Sequence, residues 1–384
     1  MKTFPKKLLD KLQKRKTDNA FRELSNTDLL IDFSSNDYLG FSKSEAIFNQ
    51  SHDYLVGHNM KQNGSTGSRL LSGNHNLYHL AETVLCEFHK SEAALIFNSG
   101  YDANIGFFSS VPQRHDIILY DEYIHASIRD GISMSHANAY KFAHNDLSDL
   151  DSLLKRHSDT ILDSSISIYV VTESVFSMDG DSPDLETLVQ LCTNYHAHLV
   201  VDEAHAIGVF GDQGKGLIQE LGLERQLFAR IVTFGKALGT HGAAILGSEQ
   251  LKSYLVNFSR SLIYTTALPP HSIATINSAY LELIKTEDIK KLHENIHHFR
   301  DELRNKSLEL YFIKSHSAIQ CAIVPGNDLV KKLAKKINDS GYSVKPILSP
   351  TVPNGQERLR FCIHSFNSKE EISEVLQLFA TFVA

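Results

Sequence analysis

Lys236 lies in a stretch of the chain that has no other formally charged side chain. From residue 231 to 248 the sequence reads IVTFGKALGTHGAAILGS, and Lys236 is its only formally charged residue. Small and apolar neighbours solvate an ammonium ion poorly, which favours the neutral amine that attacks an aldehyde. Three nearby glycines leave space for a bulky group beside that amine. Lys236 is therefore a candidate to carry an aldehyde cofactor as a Schiff base.

Two other interpretations of Lys236 have to be weighed. A lysine on a loop is usually a surface residue whose stem lies on the protein while its charge reaches water. A phosphate-binding P-loop would need glycine six positions earlier and serine or threonine directly afterwards. The chain has Arg230 and Ala237 at those positions, which excludes the P-loop.

Asp202 ends the apolar segment HLVVDEAH, and His205 follows three residues later. A cofactor that acts as an electron sink needs a carboxylate against its pyridinium nitrogen, and Asp202 could supply it. His205 would provide a ring donor nearby. Taken alone, an aspartate at a strand end is more often a helix cap or a turn residue.

Other polar residues also follow apolar segments. NSGYDAN offers Gly100 and Tyr101 before a helix, where backbone N–H groups bind phosphate. DEYIHAS offers His125, which could stack on a pyridine ring, and the hydroxyl-rich TESVFSMDGD follows a further strand. Each is weak evidence alone, since turns and structural histidines are common. Together they would meet at one edge of a sheet, which favours a single site.

Short apolar segments separated by helix-length spacers predict an α/β fold. The segments are AALIFN at 93–98, IILY at 117–120, SISIYVVTE at 165–173, HLVVDE at 198–203, ARIVTF at 229–234 and AAILG at 243–247. Continuous apolar strands indicate a mainly parallel sheet covered on both faces. Beyond YTTALPP at 264–270, helical patterns with strands at 319–324 and 358–364 predict a smaller α+β domain. We expect an N-terminal arm at 1–45, a large domain at 46–275 and a small domain at 276–384.

Composition restricts the function further. The 384 residues carry a net charge of −7, which argues against a general nucleic-acid surface. Four scattered cysteines and the absence of an apolar run of about 20 residues lead us to expect a cytoplasmic protein with reduced thiols. The histidine pairs HAH and HH lack zinc-helix spacing, so no metal is assigned. The basic N-terminal segment predicts an amphipathic helix, packed on the body or a second subunit rather than on a membrane.

Five segments in this order give the chain a specific family resemblance. They are SSNDYLG (34–40), ESVFSMDGDSPDL (173–185), VDEAHAIGVFGDQGKG (201–216), TFGKALG (233–239) and YTTALPP (264–270). With them the chain resembles the α-oxoamine synthases, a branch of the fold-type-I enzymes that use pyridoxal 5′-phosphate, from about residue 22 to the end. The resemblance implies the fold of a PLP-dependent transferase and a homodimer with shared active sites.

The resemblance also implies roles for particular residues. Lys236 would form the Schiff base, Asp202 would pair with the pyridine nitrogen, His125 would stack on the ring and His205 would hydrogen-bond its phenolic oxygen. The other cofactor-binding residues implied are Gly100, Tyr101, Ser177 and Thr233, with Thr265 or Thr266 reaching the phosphate of the neighbouring subunit. The substrate-binding residues implied are Arg22, Asn36, His125, Thr351 and Arg360, of which Arg360 would hold the amino-acid carboxylate.

Within the family, the resemblance is greatest to members that act in biotin synthesis. It implies a decarboxylative condensation of L-alanine with pimeloyl-CoA or a pimeloyl carrier protein. Members that make 2-amino-3-oxobutyrate, aminolevulinate, a sphingoid base or an α-aminoketone signal are alternatives. The chain departs from the pattern at Thr66 and Arg69, where some members have smaller residues near the acyl pocket. An alternative from another class is a nucleotide-binding α/β protein, although both common phosphate fingerprints are absent.

Overall fold

The computed structural model describes residues 4–24, 29–161 and 166–383. Its strands are β1 (Ile31–Asp32), β2 (Ala93–Phe97), β3 (Ile117–Asp121), β4 (Asn138–Phe142), β5 (Ile168–Glu173), β6 (His198–Asp202), β7 (Ala229–Thr233), β8 (Ala243–Gly247), β9 (Ile319–Ile323), β10 (Tyr342–Ser343), β11 (Lys345–Ile347) and β12 (Arg358–Cys362). Ser165, where the sequence pattern begins the strand that corresponds to β5, lies outside the described residues.

Helices account for about half of the other described residues. They are α1 (Lys6–Thr17), α2 (Glu45–Gly57), α3 (Asn76–His89), α4 (Gly100–Phe108), α5 (Ala126–Met134), α6 (Leu147–Ile161), α7 (Leu185–Asn194), α8 (Leu217–Glu220), α9 (Glu249–Phe258), α10 (Arg260–Ile263), α11 (Pro270–Leu283), α12 (Asp288–Asn305), α13 (Asn327–Asp339) and α14 (Lys369–Val383). None of the helices in the described ranges is both long and apolar enough to cross a bilayer.

The chain divides into two compact units. The described residues within Asn36–Ser177 and Ser182–Ile289 form the large unit, and those within Met1–Ser35, Met178–Asp181 and Lys290–Ala384 form the small unit. The sequence-based boundaries near residues 45 and 275 stay a prediction of how the domains are organised.

A seven-stranded sheet forms the centre of the large unit, in the order β2-β8-β7-β6-β5-β3-β4. Strand β8 is antiparallel to both of its neighbours, and the other pairs are parallel. Consequently β2, β3, β5, β6 and β7 all point the same way. Their carboxyl ends meet at one edge, which is where α/β sheets bind ligands.

Residues of opposite parity along the central strands bury opposite faces of this sheet. In β3, Ile118 packs into one apolar cluster with Phe107 of α4, whereas Ile117 and Leu119 pack into another with Leu188 of α7. The sheet is therefore covered on both sides, as the continuous apolar segments predicted. The α/β, mainly parallel fold class is confirmed. Strand β4 is absent from the sequence-based prediction, because its sequence NAYKF is mostly exposed and has no apolar pattern.

The small unit is built on an antiparallel sheet in the order β11-β12-β9, and β1 pairs separately with β10 in parallel. Phe299, Phe312, Phe361 and Phe379 meet in its core. Directly after α1, the backbone carbonyl of Asp18 accepts a hydrogen bond from the Asn327 side chain at 3.2 Å. The four cysteines are free thiols, three of them buried.

Candidate active site

Lys236 lies on the turn between β7 and β8. The turn is closed by backbone hydrogen bonds from Phe234 to Gly242 (2.9 Å) and from Gly239 to Lys236 (2.8 Å). Gly239 has φ +61°, and a Cβ there would lie 2.1 Å from the backbone nitrogen of Ser42. Only glycine fits that position. The tight turn holds Lys236 at the ligand edge of the sheet, where it lines the cavity described below.

Asp202 is the last residue of β6, two strand positions from β3 across the sheet. It is only 5% exposed. Its Oδ2 accepts a hydrogen bond from Asn104 Nδ2 at 3.0 Å, and its Oδ1 accepts one from the backbone N–H of Ala204 at 2.9 Å. Both carboxylate oxygens are thus held in place by donors.

His205 is buried, lies close to Asp202 in the chain and is anchored by Tyr38. The Tyr38 hydroxyl lies 2.7 Å from His205 Nδ1, and Tyr38 is itself fully buried. This bond fixes the orientation of the imidazole ring. The motif SSNDYLG contains Tyr38, but the sequence alone does not reveal this contact, because the two residues are 167 positions apart.

His125 precedes α5 and caps it. The backbone N–H of Ser127 donates to His125 Nδ1 at 3.2 Å, and the backbone N–H of His125 donates to Glu173 Oε1 at 2.5 Å. Although part of the His125 surface is open, surrounding protein atoms desolvate the ring and lower its pKa, against an opposing effect of the Asp202 charge. Full burial, together with the Asp202 charge, raises the pKa of Glu173 well above its ordinary value.

The N-terminus of α4 forms another wall. Its cap is Ser99, whose Oγ accepts a hydrogen bond from the backbone N–H of Asp102 at 3.1 Å. Gly100 packs so closely that an added Cβ would lie 2.7 Å from Thr233 Cγ2. Thr233 Oγ1 is buried and has no hydrogen-bond partner among the described residues. A helix N-terminus beside a hydroxyl of this kind is suited to an anion.

These elements enclose a cavity of about 280 Å³ within the large unit. The residues predicted from the sequence that line it are Asn36, Gly100, Tyr101, His125, Asp202, His205, Thr233 and Lys236. The other lining residues are Ser99, Asn104, Ser127, Ala204, Glu173 and His241, to which the sequence assigned no role, and Gly235 and Gly242, two of the glycines expected to leave space beside Lys236. The structure therefore brings most of the predicted side chains of this unit into one place.

Three other predicted residues of the large unit are not among the described lining residues: Ser177, Thr265 and Thr266. Thr265 Oγ1 and the backbone carbonyl of Thr266 instead accept hydrogen bonds from the Asn98 amide, at 3.1 and 2.7 Å. Ser177 is half-buried. The expected role of the threonines in a neighbouring subunit's site does not require them to line this cavity.

The remaining predicted residues belong to the small unit. Arg22 and Thr351, 329 positions apart, meet there, with Arg22 Nη2 3.5 Å from Thr351 Oγ1. Arg360 lies on β12 and is 9% exposed. Arg358, two residues earlier on β12, contacts the Asp179 carboxylate and the backbone carbonyl of Met178.

Arg69, one of the departures from the family pattern, makes structural contacts in the large unit. Its guanidinium donates to Glu82 Oε1 at 2.7 Å and to the backbone carbonyl of Ile96 at 3.1 Å. It also lies over the ring of Tyr78, 4.0 Å from the centroid. These contacts account for an arginine at this position.

Comparison with known proteins identifies the family. Residues 29–379 match the family described as aminotransferase class I and II. An 8-amino-7-oxononanoate synthase of Emericella nidulans is 40% identical over 92% of this chain and 89% of its own.

Solved structures agree with this relationship. A serine palmitoyltransferase from S. paucimobilis, with a bound PLP–myriocin aldimine, has a TM-score of 0.87 at 26% identity, covering 98% of this chain and 96% of its own. The 8-amino-7-oxononanoate synthase of Francisella tularensis has a TM-score of 0.76 at 28% identity, covering 93% and 98%. The chain thus belongs to the class I and II aminotransferase family, in its pyridoxal-phosphate-dependent, acyl-transferring branch with the 8-amino-7-oxononanoate synthases.

Proposed function

We propose that this enzyme condenses L-alanine with a pimeloyl thioester, either pimeloyl-CoA or a pimeloyl carrier protein. The products are 8-amino-7-oxononanoate, CO2 and the free thiol, and the reaction serves biotin synthesis. The observation that carries the proposal is the meeting of Lys236, Asp202, His125 and His205 in one cavity. The 40% identity to a synthase of that name supports the choice of substrates.

The cavity fits pyridoxal phosphate by its own chemistry. The Thr233 hydroxyl, which has no hydrogen-bond partner in the described part of the chain, and the N-terminus of α4 would bind the phosphate. The close approach at Gly100 would bring backbone N–H groups to it. Asp202 would face the pyridine nitrogen, and His205 the phenolic oxygen. Lys236 would hold the aldehyde carbon through Nζ.

Bound pyridoxal phosphate supplies an electron sink that stabilises a carbanion at the amino-acid Cα. Asp202 would favour this by keeping a proton on the pyridine nitrogen, because an ionised carboxylate stabilises a positive charge next to it. Lys236 Nζ would remove the Cα proton as a general base and later return one. The protein's own side chains would thus orient the reactants and transfer the proton.

Four arginine, asparagine and threonine side chains would bind the substrates. A guanidinium matches a carboxylate with two parallel hydrogen bonds, which suits Arg360 to the alanine carboxylate and Arg22 to the acyl substrate. The 3.5 Å contact between Arg22 and Thr351 supports a shared role for that pair. Asn36, which lines the cavity, would contact the substrate close to the reacting atoms.

We further propose that the enzyme acts as a homodimer with shared sites, in which Thr265 or Thr266 reaches the cofactor phosphate of the neighbouring subunit. Large apolar side chains of the same unit are exposed, since Tyr264, directly before Thr265, is 73% and Leu71 84% exposed. Burial of such side chains against a second copy would be favourable.

A sphingoid-base synthase is the alternative that an observation favours, because a serine palmitoyltransferase has a TM-score of 0.87 with this chain. The discriminating assay combines alanine, glycine or serine with pimeloyl, acetyl or palmitoyl thioesters, each as the CoA and the carrier-protein form. We expect alanine with a pimeloyl thioester to give the highest kcat/KM, and the faster carrier identifies the donor. Glycine outperforming alanine, or palmitoyl outperforming pimeloyl with serine, would refute the proposal.

A further inference from the structure

An amide and a hydroxyl join Asp202 to His125 along the wall of the cavity. Asn104 Nδ2 lies 3.0 Å from Asp202 Oδ2 and 2.9 Å from Ser127 Oγ. Ser127 Oγ in turn lies 2.7 Å from His125 Nδ1. Asn104 is 2% and Ser127 1% exposed, so water does not compete for these bonds. The four side chains form a continuous chain of hydrogen bonds.

The direction of the hydrogens in this chain follows from its carboxylate end. An ionised carboxylate only accepts, so the amide must present its NH2 group to Asp202, and the second N–H of that group donates to Ser127 Oγ. The single hydroxyl proton of Ser127 is then left to donate to His125 Nδ1. The backbone N–H of Ser127 points at the same nitrogen from 3.2 Å.

His125 Nδ1 thus faces two donors and acts as an acceptor. An imidazole with an acceptor at Nδ1 is neutral and carries its proton on Nε2, because a second proton on Nδ1 would displace both bonds. Burial also lowers the pKa of this ring, although Asp202 and Asp130 oppose the shift and Lys236 adds to it. Glu173, the other titratable group nearby, accepts from the backbone of His125.

We propose that Asn104 is a positioning residue, which acts through Ser127 to keep His125 neutral with its proton on Nε2. The ring is then set to donate that proton in a hydrogen bond to a substrate oxygen, and this last step rests on the proposed function. Neither Asn104 nor Ser127 stands in the motifs that define the family resemblance. Their role follows from the hydrogen-bond directions alone.

The direct test is 15N NMR of histidine in the full-length protein, with and without pyridoxal phosphate, over a range of pH. The His125 signal is identified by its loss in His125→Asn. We expect a neutral ring protonated on Nε2 down to below the ordinary histidine pKa of about 6.5. A native ring protonated on Nδ1 would overturn the proposal without any variant.

Variants of the two intermediate residues extend the test. In Asn104→Asp the new carboxyl group shares one proton with Asp202, whose Oδ2 lies 3.0 Å from the replaced nitrogen, and its other oxygen accepts from Ser127, which turns the hydroxyl and removes a donor from Nδ1. We expect the protonation constant of His125 to rise about tenfold, which is one pKa unit. Ser127→Ala should give a smaller rise, because the backbone donor remains. An unchanged tautomer and an unchanged pKa of His125 in both variants would overturn the proposed role of Asn104 and Ser127.

Ser109→Ala is the matched control at the end of the same helix, since Ser109 Oγ donates to the backbone carbonyl of Ile105 at 2.6 Å. It should leave the His125 signal and the pH profile unchanged, and a shift equal to that of Asn104→Asp would refute a specific role for Asn104. In catalysis, Asn104→Asp should move the acid limb of the kcat/KM profile upward by about one unit. The tautomer is measured without substrate, so a failure of the proposed condensation leaves this test intact.

Discussion

The contact between Gly100 and Thr233 makes cofactor affinity sensitive to a single methyl group. In Gly100→Ala the new Cβ would lie 2.7 Å from Thr233 Cγ2, whereas carbon atoms pack at about 3.5–4.0 Å. Either the helix N-terminus or the threonine must move by roughly 1 Å. Overpacking of this kind costs about 1–3 kcal/mol. If the strain falls on the phosphate site, the dissociation constant for pyridoxal phosphate should rise by roughly 5- to 150-fold.

A second substitution isolates the cause of the loss. Thr233→Ser removes Cγ2 but keeps the hydroxyl, and the remaining Cβ of residue 233 lies 3.9 Å from the methyl carbon that alanine would add at residue 100, which is an ordinary contact. The double variant Gly100→Ala/Thr233→Ser should therefore bind more tightly than Gly100→Ala alone. The assay is an absorbance titration of the cofactor-free protein with pyridoxal phosphate, analysed as a double-mutant cycle.

Two results would show that the methyl contact does not control cofactor affinity. Undiminished affinity in Gly100→Ala would mean that the close approach has no bearing on the cofactor. An additive double variant, no better than the sum of the two single variants, would mean that the methyl contact is not the source of the loss.

Two predictions concern stability. Glu203 and Arg230 form an ion pair whose side chains are 0% and 3% exposed. Glu203→Ala leaves the arginine charge buried and should lower the unfolding free energy by about 3–5 kcal/mol. Lys335→Ala, in an exposed ion pair, should change it by less than about 1 kcal/mol. Equal losses in urea denaturation would contradict this. Full burial, aided by the Arg230 charge, holds the pKa of His89 well below its ordinary value. As pH falls below about 6.5, the unfolded chain binds a proton at His89 and the native chain does not, so the unfolding free energy drops by up to about 1.4 kcal/mol per pH unit. His89→Gln lacks this group, so the difference in unfolding free energy between the native chain and the variant should become smaller. A constant difference between pH 7 and 5 would exclude this role.

The fold of the large unit can largely be predicted from the sequence, because its central strands are covered on both faces and are therefore apolar. Strands such as β6 consist mostly of apolar residues, and this pattern is local and readable. Strand β4 has no such pattern, since its sequence NAYKF is mostly exposed at a sheet edge. Its pairing with β3 depends on the fold and not on its own residues.

The same distinction applies to the site. Lys236 and Asp202 stand out in the chain because a charge follows or interrupts an apolar segment. Asn104 gives no such signal, because one sequence does not say which face of α4 lies along the cavity. Tyr38 reaches His205 only through the tertiary fold. Residues that support others through hydrogen bonds are thus the part of the site that local patterns miss.

The Schiff base at Lys236 is tested most directly by locating the covalently bound cofactor. The purified protein is incubated with pyridoxal phosphate, reduced with borohydride, digested and analysed by peptide mass spectrometry, with Lys236→Arg treated in parallel. We expect a pyridoxyl group on the peptide that contains Lys236, and neither the modification nor turnover in the variant. A pyridoxyl group at a different lysine, or full turnover by Lys236→Arg, would contradict it.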